Sequence, residues 1–123
     1  MCISDRPTSI KVGNPYTTVT SVSFSPDGNN IISGDQDNNV KLWSKEGKYI
    51  KTLTGHKYGV NSVAWSPDGN TIASADNNGT VILWNKEGKL LQTLTGHRGS
   101  VNDISFSPDN NTIAIASPNS TII

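Results

Sequence analysis

Cysteine is almost absent. Cys2 stands alone among 123 residues, so no internal disulfide can form and no cysteine-rich zinc site can be assembled. Long apolar runs are missing too. The longest stretches of Ala, Val, Ile, Leu, Met, Phe, Trp and Tyr are four residues, as in Val81 to Trp84. That is too short for a membrane-spanning helix or the core of a signal peptide. Charge of one sign is not in excess. Ten Lys and Arg balance ten Asp and Glu, so no bulk field draws the chain to nucleic acid or to an anionic membrane. No segment holds a 3.6-residue apolar period, which excludes a substantial helix. What remains polar is mostly Asn, Ser and Thr, residues of turns and strands. The expectation is a soluble, cytoplasmic, all-β chain of one-domain size with no cofactor.

The chain repeats itself at a period of 41 residues. Ser25-Pro26-Asp27-Gly28 returns as Ser66-Pro67-Asp68-Gly69 and again as Ser107-Pro108-Asp109-Asn110. Gly55-His56 returns as Gly96-His97, Leu42-Trp43 as Leu83-Trp84, and Lys45-Glu46-Gly47-Lys48 as Lys86-Glu87-Gly88-Lys89. Residues 15–55 and 56–96 align without a gap at 22 identities in 41 positions, far beyond chance.

Each period reads as four short strands separated by turn residues. Val60 to Trp65 is a first strand, ended by Ser-Pro-Asp-Gly, where Pro presets φ and Gly supplies a positive φ. Thr71 to Ser74 is a second strand, and Asp76-Asn77-Asn78-Gly79 is a hairpin turn. Thr80 to Trp84 and Leu90 to Leu94, on either side of Lys86-Glu87-Gly88-Lys89, are the third and fourth. Four strands per period of this length describe one propeller blade.

With Gly-His, Val-x-x-Val-x-Trp-Ser-Pro-Asp-Gly, Ile-Ala-Ser and Gly-Thr-Val-x-Leu-Trp in place, the sequence resembles the WD40 repeat family. It is similar to the partial, near-identical arrays of bacterial type. Ser44 or Asn85 follows the Trp where the family has Asp. The resemblance implies antiparallel four-stranded blades: blade 1 over 15–55, blade 2 over 56–96 and an incomplete blade 3 over 97–123. Residues 1–14 remain. Shifted by 41, Val12 falls on Leu53 and Leu94, which makes residues 8–12 a candidate closing strand for blade 3. Three blades fall short of the about four to eight that close a ring. The chain is then either a truncated or partial propeller or half of a six-bladed ring made by a homodimer.

The resemblance also implies a structural tetrad, placed on His56, Ser74, Asn78 and Trp84, in which Asn replaces the family's acid. Blade 1 offers Ser33, Asp37 and Trp43 with Pro15 for His. Blade 3 offers His97 with Ile115, Asn119 and no Trp. On this placement no tetrad is complete. A hydrolase reading of His, Ser and Asp is set aside, since no nucleophile elbow is present and each His sits at the repeat's structural position. Asp35-x-Asp37-x-Asn39 with Glu46 imitates a calcium loop, but Val40 stands where Gly is required, so it reads as a turn. Asn78-Gly79-Thr80, Asn110-Asn111-Thr112 and Asn119-Ser120-Thr121 match the glycosylation pattern by composition alone. Lys41, Lys45, Lys48 and Lys51 read as solvated edge lysines. Phe24, Trp65 and Phe106 share one position and are expected between blades, while Trp43 and Trp84 pack between strands.

By resemblance, a propeller of this kind is a non-catalytic scaffold that binds a protein or peptide; the alternatives are a truncated propeller fragment without independent function, or a regulatory or sensor module of a larger signalling protein. The family's contact positions map onto Thr18, Thr20 and Gln36; Gly59, Asn61 and Asn77; and Ser100, Asn102 and Pro118. No Tyr, Trp or Arg anchor is among them, so this face is small, polar and uncharged.

Overall fold

The computed structural model describes residues 9–13, 16–95 and 101–116. Ten strands and no helix occur among them. β1 (Val19–Phe24), β2 (Asn30–Asp35), β3 (Val40–Ser44) and β4 (Tyr49–Leu53) form one antiparallel sheet in sequence order. The second sheet repeats it with β5 (Val60–Trp65), β6 (Thr71–Asp76), β7 (Val81–Asn85) and β8 (Leu90–Leu94). A third, smaller sheet pairs β9 (Asp103–Phe106) with β10 (Ile113–Ala116). The sheets pack face to face in sequence order, and among the described residues the propeller is not closed.

The turns follow their residues. In Ser25-Pro26-Asp27-Gly28, Gly28 N donates to Ser25 O at 2.9 Å, with Gly28 at φ 76°. Ser25 Oγ donates to Asp27 Oδ1 at 2.6 Å, and Asn29 N donates to the same oxygen at 2.9 Å. Asp68 and Asp109 repeat this with Ser66 and Ser107. The serine hydroxyl, followed by these backbone amides, holds all three carboxyls below the usual carboxylate range. In the third copy Asn110 takes the positive φ (66°). Its side-chain oxygen also accepts from Asp68 N at 2.9 Å, tying sheet three to sheet two.

The core lies between sheets, not within one. Ile32, Val40, Leu42 and Leu53 of the first sheet pack on Val60, Val63, Ile72, Ile82 and Trp84 of the second. Ala73, Ala75 and Val81 pack in turn on Val101, Ile104 and Ile115. Each fully buried Val or Ile contributes about 1.5–3 kcal/mol through its removal from water. The sheets also exchange hydrogen bonds. Thr20 Oγ1 donates to Val60 O, and one blade on Asn61 Nδ2 donates to Val101 O at 3.0 Å. Trp65 Nε1 reaches Ser23 O at 3.2 Å, and Val63 N reaches Ser21 Oγ at 3.3 Å.

Two expectations change here. Trp65 and Phe106 do pack between sheets, but Phe24 is 55 % exposed, because no sheet among the described residues stands before the first. The described part of the candidate closing strand, residues 9–12, carries no strand. Ile10 instead lies beside Gly47 in the β3–β4 turn, and Gly13 lies against Val19. The third strand expected for blade 3 falls outside the described residues.

The tightest point between sheets is Gly34. A Cβ there would stand 2.5 Å from Val60 Cγ1 and 3.1 Å from Val60 Cβ, both on a stiff, buried side chain. Gly34→Ala is therefore expected to cost about 1–3 kcal/mol by overpacking, measured by urea unfolding. An unchanged midpoint would show that the first and second sheets are not in van der Waals contact here.

Candidate functional site

Three polar side chains are drawn into the interior of the second sheet by strand alternation. Ser74 and Asp76 are two apart on β6 and so share a face. Trp84 on β7 projects to the same place, since Ile72 pairs with Trp84 across the ladder. His56, from the loop after β4, lies over them with its side chain fully buried. Its Nδ1 is 2.9 Å from Asp76 Oδ2 and its Nε2 is 2.6 Å from Ser74 Oγ. Trp84 Nε1 donates to Ser74 Oγ at 2.9 Å.

This geometry corrects the sequence placement. The acid of the set is Asp76, not Asn78, and the tetrad in the second sheet is complete. Asn78 is exposed in the turn, where its backbone N donates to Asp76 Oδ1 at 2.9 Å. Thr80 N donates to the same oxygen at 3.0 Å. One carboxylate thus holds the imidazole with one oxygen and the hairpin turn with the other.

The first sheet shows the same shift. Asp35, not Asp37, is the buried acid, and Trp43 Nε1 donates to Ser33 Oγ at 2.8 Å. Asp35 Oδ1 caps Asp37 N and Asn39 N, each at 3.0 Å, so the calcium-like run is a turn. Pro15, which replaces His in this repeat, lies outside the described residues. Lys41 Nζ stands 3.9 Å from Asp35 Oδ2. Lys41 is therefore no solvated edge lysine: it supplies a cation to the buried acid, and its counterpart in the second sheet is the buried Ile82. Lys51 also leaves the edge reading, donating to Glu87 O at 2.5 Å on the neighbouring sheet.

The protonation of the network follows from its donors. An ionised Asp76 only accepts, so Nδ1 carries the proton. Trp84 only donates, so Ser74 Oγ accepts from it and turns its own hydrogen to Nε2. A second proton on His56 would take that acceptor from Ser74. Burial lowers the His56 pKa from 6.5, outweighing the hydrogen bond and charge of Asp76, which raise it. The imidazole is neutral near pH 7. Ser74, His56 and Asp76 stand in the order of a nucleophile relay. Yet Ser74 is fully buried and its oxygen is held by Trp84, so no substrate carbonyl reaches it.

The expected contact residues divide. Gln36 N donates to Thr18 O and Asn77 N to Gly59 O, both at 3.0 Å, bringing these four to one rim. Thr18, Gln36 and Asn77 are exposed there. Gly59 is buried, with the Gln36 and Asn77 amides about its Cα: a Cβ would stand 2.7 Å from Gln36 Oε1 and 2.9 Å from Asn77 Nδ2. Thr20 and Asn61 are committed to the next sheet. Asn102 is exposed, and its N donates to Ala116 O at 2.8 Å. His97, Ser100, Pro118 and Asn119 lie outside the described residues. Among those described, no group of three His, Cys, Asp or Glu could hold a metal.

Two measurements check this site. Asp76→Ala is expected to cost about 2–4 kcal/mol, the scale of a buried charged hydrogen-bond centre, whereas Asn78→Ala stays within about 0.5 kcal/mol; equal losses would return the acid to Asn78. The second concerns pH. A folded-state His56 pKa below 6.5 means that the unfolded chain binds more protons. Stability is therefore full above 6.5 and falls with decreasing pH until the folded-state value is passed. It falls again below 3.8 as Asp27, Asp68 and Asp109 take up protons. Urea unfolding of a His97→Gln background, where His56 is the sole histidine, should show the first step; stability rising on acidification would reverse the sign.

The comparisons with known proteins agree with the repeat. The family described as WD domain, G-beta repeat matches at residues 7–44, 47–85 and 88–123. F-box/WD repeat-containing protein 7 of Drosophila melanogaster is 45 % identical over 49 residues, which are 39 % of this chain and 4 % of that protein. The matched units are offset from the sheets. The second and third each begin just before the outer strand of one sheet, and the second ends on the third strand of the next. Successive repeats are thus interlocked through shared sheets, and the chain belongs to the WD40 repeat family.

Proposed function

We propose that this chain is a non-catalytic protein–protein interaction scaffold, contacting a protein or peptide through the rim made by Thr18, Gln36, Asn77 and Asn102. One observation carries the reading. Two backbone bonds of equal length, Gln36 N to Thr18 O and Asn77 N to Gly59 O, build the same rim in successive sheets and hold two exposed amide side chains side by side over Gly59. A primary amide both donates and accepts, so the pair matches the alternating N–H and C=O groups of an extended peptide. The rim carries no ionised side chain among these residues, which favours a polar, uncharged partner segment. The sealed tetrad supports a structural role for His56 and Ser74. Family membership supports the scaffold role in general, and the partner is assigned here only by its chemistry.

A random peptide library displayed on phage tests this reading. The wild-type chain should enrich sequences that a Gln36→Arg/Asn77→Arg variant does not. Both side chains are exposed, so the variant should keep the wild-type melting temperature. Equal enrichment by both would move the binding surface away from this rim.

A further inference from the structure

The Ser-Pro-Asp turns are built alike in the first two sheets, but what meets them differs. Gly28 N donates to Ser25 O and Gly69 N to Ser66 O, both at 2.9 Å. Ser25 Oγ donates to Asp27 Oδ1 and Ser66 Oγ to Asp68 Oδ1, both at 2.6 Å. Asp27 N and Asp68 N are therefore presented in the same way, at the strand ends opposite the Gln36–Asn77 rim. At the second junction Asp68 N is taken. The Asn110 side chain crosses from the third sheet, and its carboxamide oxygen accepts from Asp68 N at 2.9 Å. At the first junction Gly69 stands at the position of Asn110 and has no side chain to offer Asp27 N.

Where that side chain is missing there is a cleft. Its volume of about 390 Å³ falls among small-ligand sites of roughly 300–1,000 Å³. Pro26 and Asp27 of the first sheet and Asp68 and Gly69 of the second line it, together with Trp65 and Lys86. Every wall belongs to the first or second sheet, so that junction alone sets the cleft. The Cβ position of Gly69 stands 3.6 Å from Pro26 Cδ, an ordinary contact, so a side chain begun there would fit. Trp65 uses its single N–H on Ser23 O at 3.2 Å, which leaves ring surface for the cleft. Asp27 and Asp68 are ionised near pH 7, since both carboxyls lie below the usual range. Two carboxylates against one ammonium make the lining net negative.

We propose that this cleft binds the carboxamide side chain of a glutamine or asparagine in a peptide, its oxygen accepting from Asp27 N as Asn110 accepts from Asp68 N. The other walls suit the same group. The –NH2 half donates to the carboxylates, and the flat amide lies on the indole. A carboxylate of the same length is repelled by the two acids. An apolar isostere leaves Asp27 N without an acceptor. The protein already makes this contact to itself one junction further on. The site uses none of the rim residues, so it stands or falls apart from the scaffold reading.

Amide NMR spectra of the full chain, titrated with N-acetyl-glutamine methylamide, test it. The Asp27 N–H and the Trp65 indole N–H should shift and saturate, and the leucine, glutamate and lysine analogues should leave them in place. Gly69→Asn should abolish the response, because the new side chain takes Asp27 N itself. Asparagine tolerates this backbone: Gly69 has φ 74° and Asn110 has φ 66°. That variant should keep or raise the wild-type melting temperature. Asn110→Gly runs the exchange backwards and covers the case in which Gly69→Asn does not fold. It should make the Asp68 N–H respond as a second site. An Asp27 N–H that does not move with the glutamine compound overturns the proposal. An equal response to the leucine analogue would make the site apolar, and an equal response to the lysine analogue would make it a cation site; either overturns it. So does a response that survives Gly69→Asn, or an Asp68 N–H that stays silent in folded Asn110→Gly.

Discussion

No sheet in this protein is sufficient by itself, and that constraint governs everything else. A four-stranded blade has two broad faces and too little polar surface to expose either. β6 is buried over nearly its whole length because the first sheet covers one of its faces and the third sheet the other. Packing one sheet on the next removes one pair of faces from water and presents another. The interior is therefore a series of thin layers, each belonging to two repeats. The bonds that cross the layers, from Thr20, Asn61, Asn110 and Lys51, fix the rotation of each sheet on its neighbour, which hydrophobic contact alone leaves free.

The buried polar set works on a different axis. Asp76 joins the loop bearing His56 to the hairpin after β6, so one carboxylate holds two connections that sequence separates. Desolvating it is tolerable because both oxygens are used. Among the described residues no buried side-chain nitrogen or oxygen lacks a hydrogen-bond partner. In the first sheet, where Pro15 cannot take the histidine's part, Lys41 reaches the acid from the adjacent strand. The same electrostatic need is met by a different side chain from a different direction.

Much of this was legible in the sequence. The 41-residue period placed β5 and β8 at their observed limits, and the Ser-Pro-Asp turns have the conformation that their Pro and Gly require. The tetrad was misplaced by two residues for a specific reason. Asn78 sits in a turn, where side-chain direction has no period, while Asp76 still belongs to the strand and shares the face of Ser74. Reading alternation from Ser33 to Asp35 and from Ser74 to Asp76 finds the acid in both repeats. The commitment of Thr20 and Asn61 to the neighbouring sheet was not legible, because polar side chains at a rim look alike whether they meet solvent or the next carbonyl. The role of Lys41 needed a distance, since a lysine on a strand gives no sign of which carboxylate it approaches.

Asn110 carries a consequence for how the chain finds its fold. Repeats this alike can pair in the wrong order, one blade taking another's seat with little loss of contact, and such mispairing traps repeat proteins. A glycine at the Ser-Pro-Asp turn would be silent on order, since it offers the neighbouring sheet no side chain. The asparagine keeps the left-handed turn and adds an acceptor for Asp68 N that neither Gly28 nor Gly69 supplies. With Lys51 of the first sheet donating to Glu87 O of the second, where the next repeat has Gln92 at the lysine's position, each junction carries a mark of its own. Departures from the consensus thus act as an address, making one arrangement of near-identical parts lower in energy than its permutations.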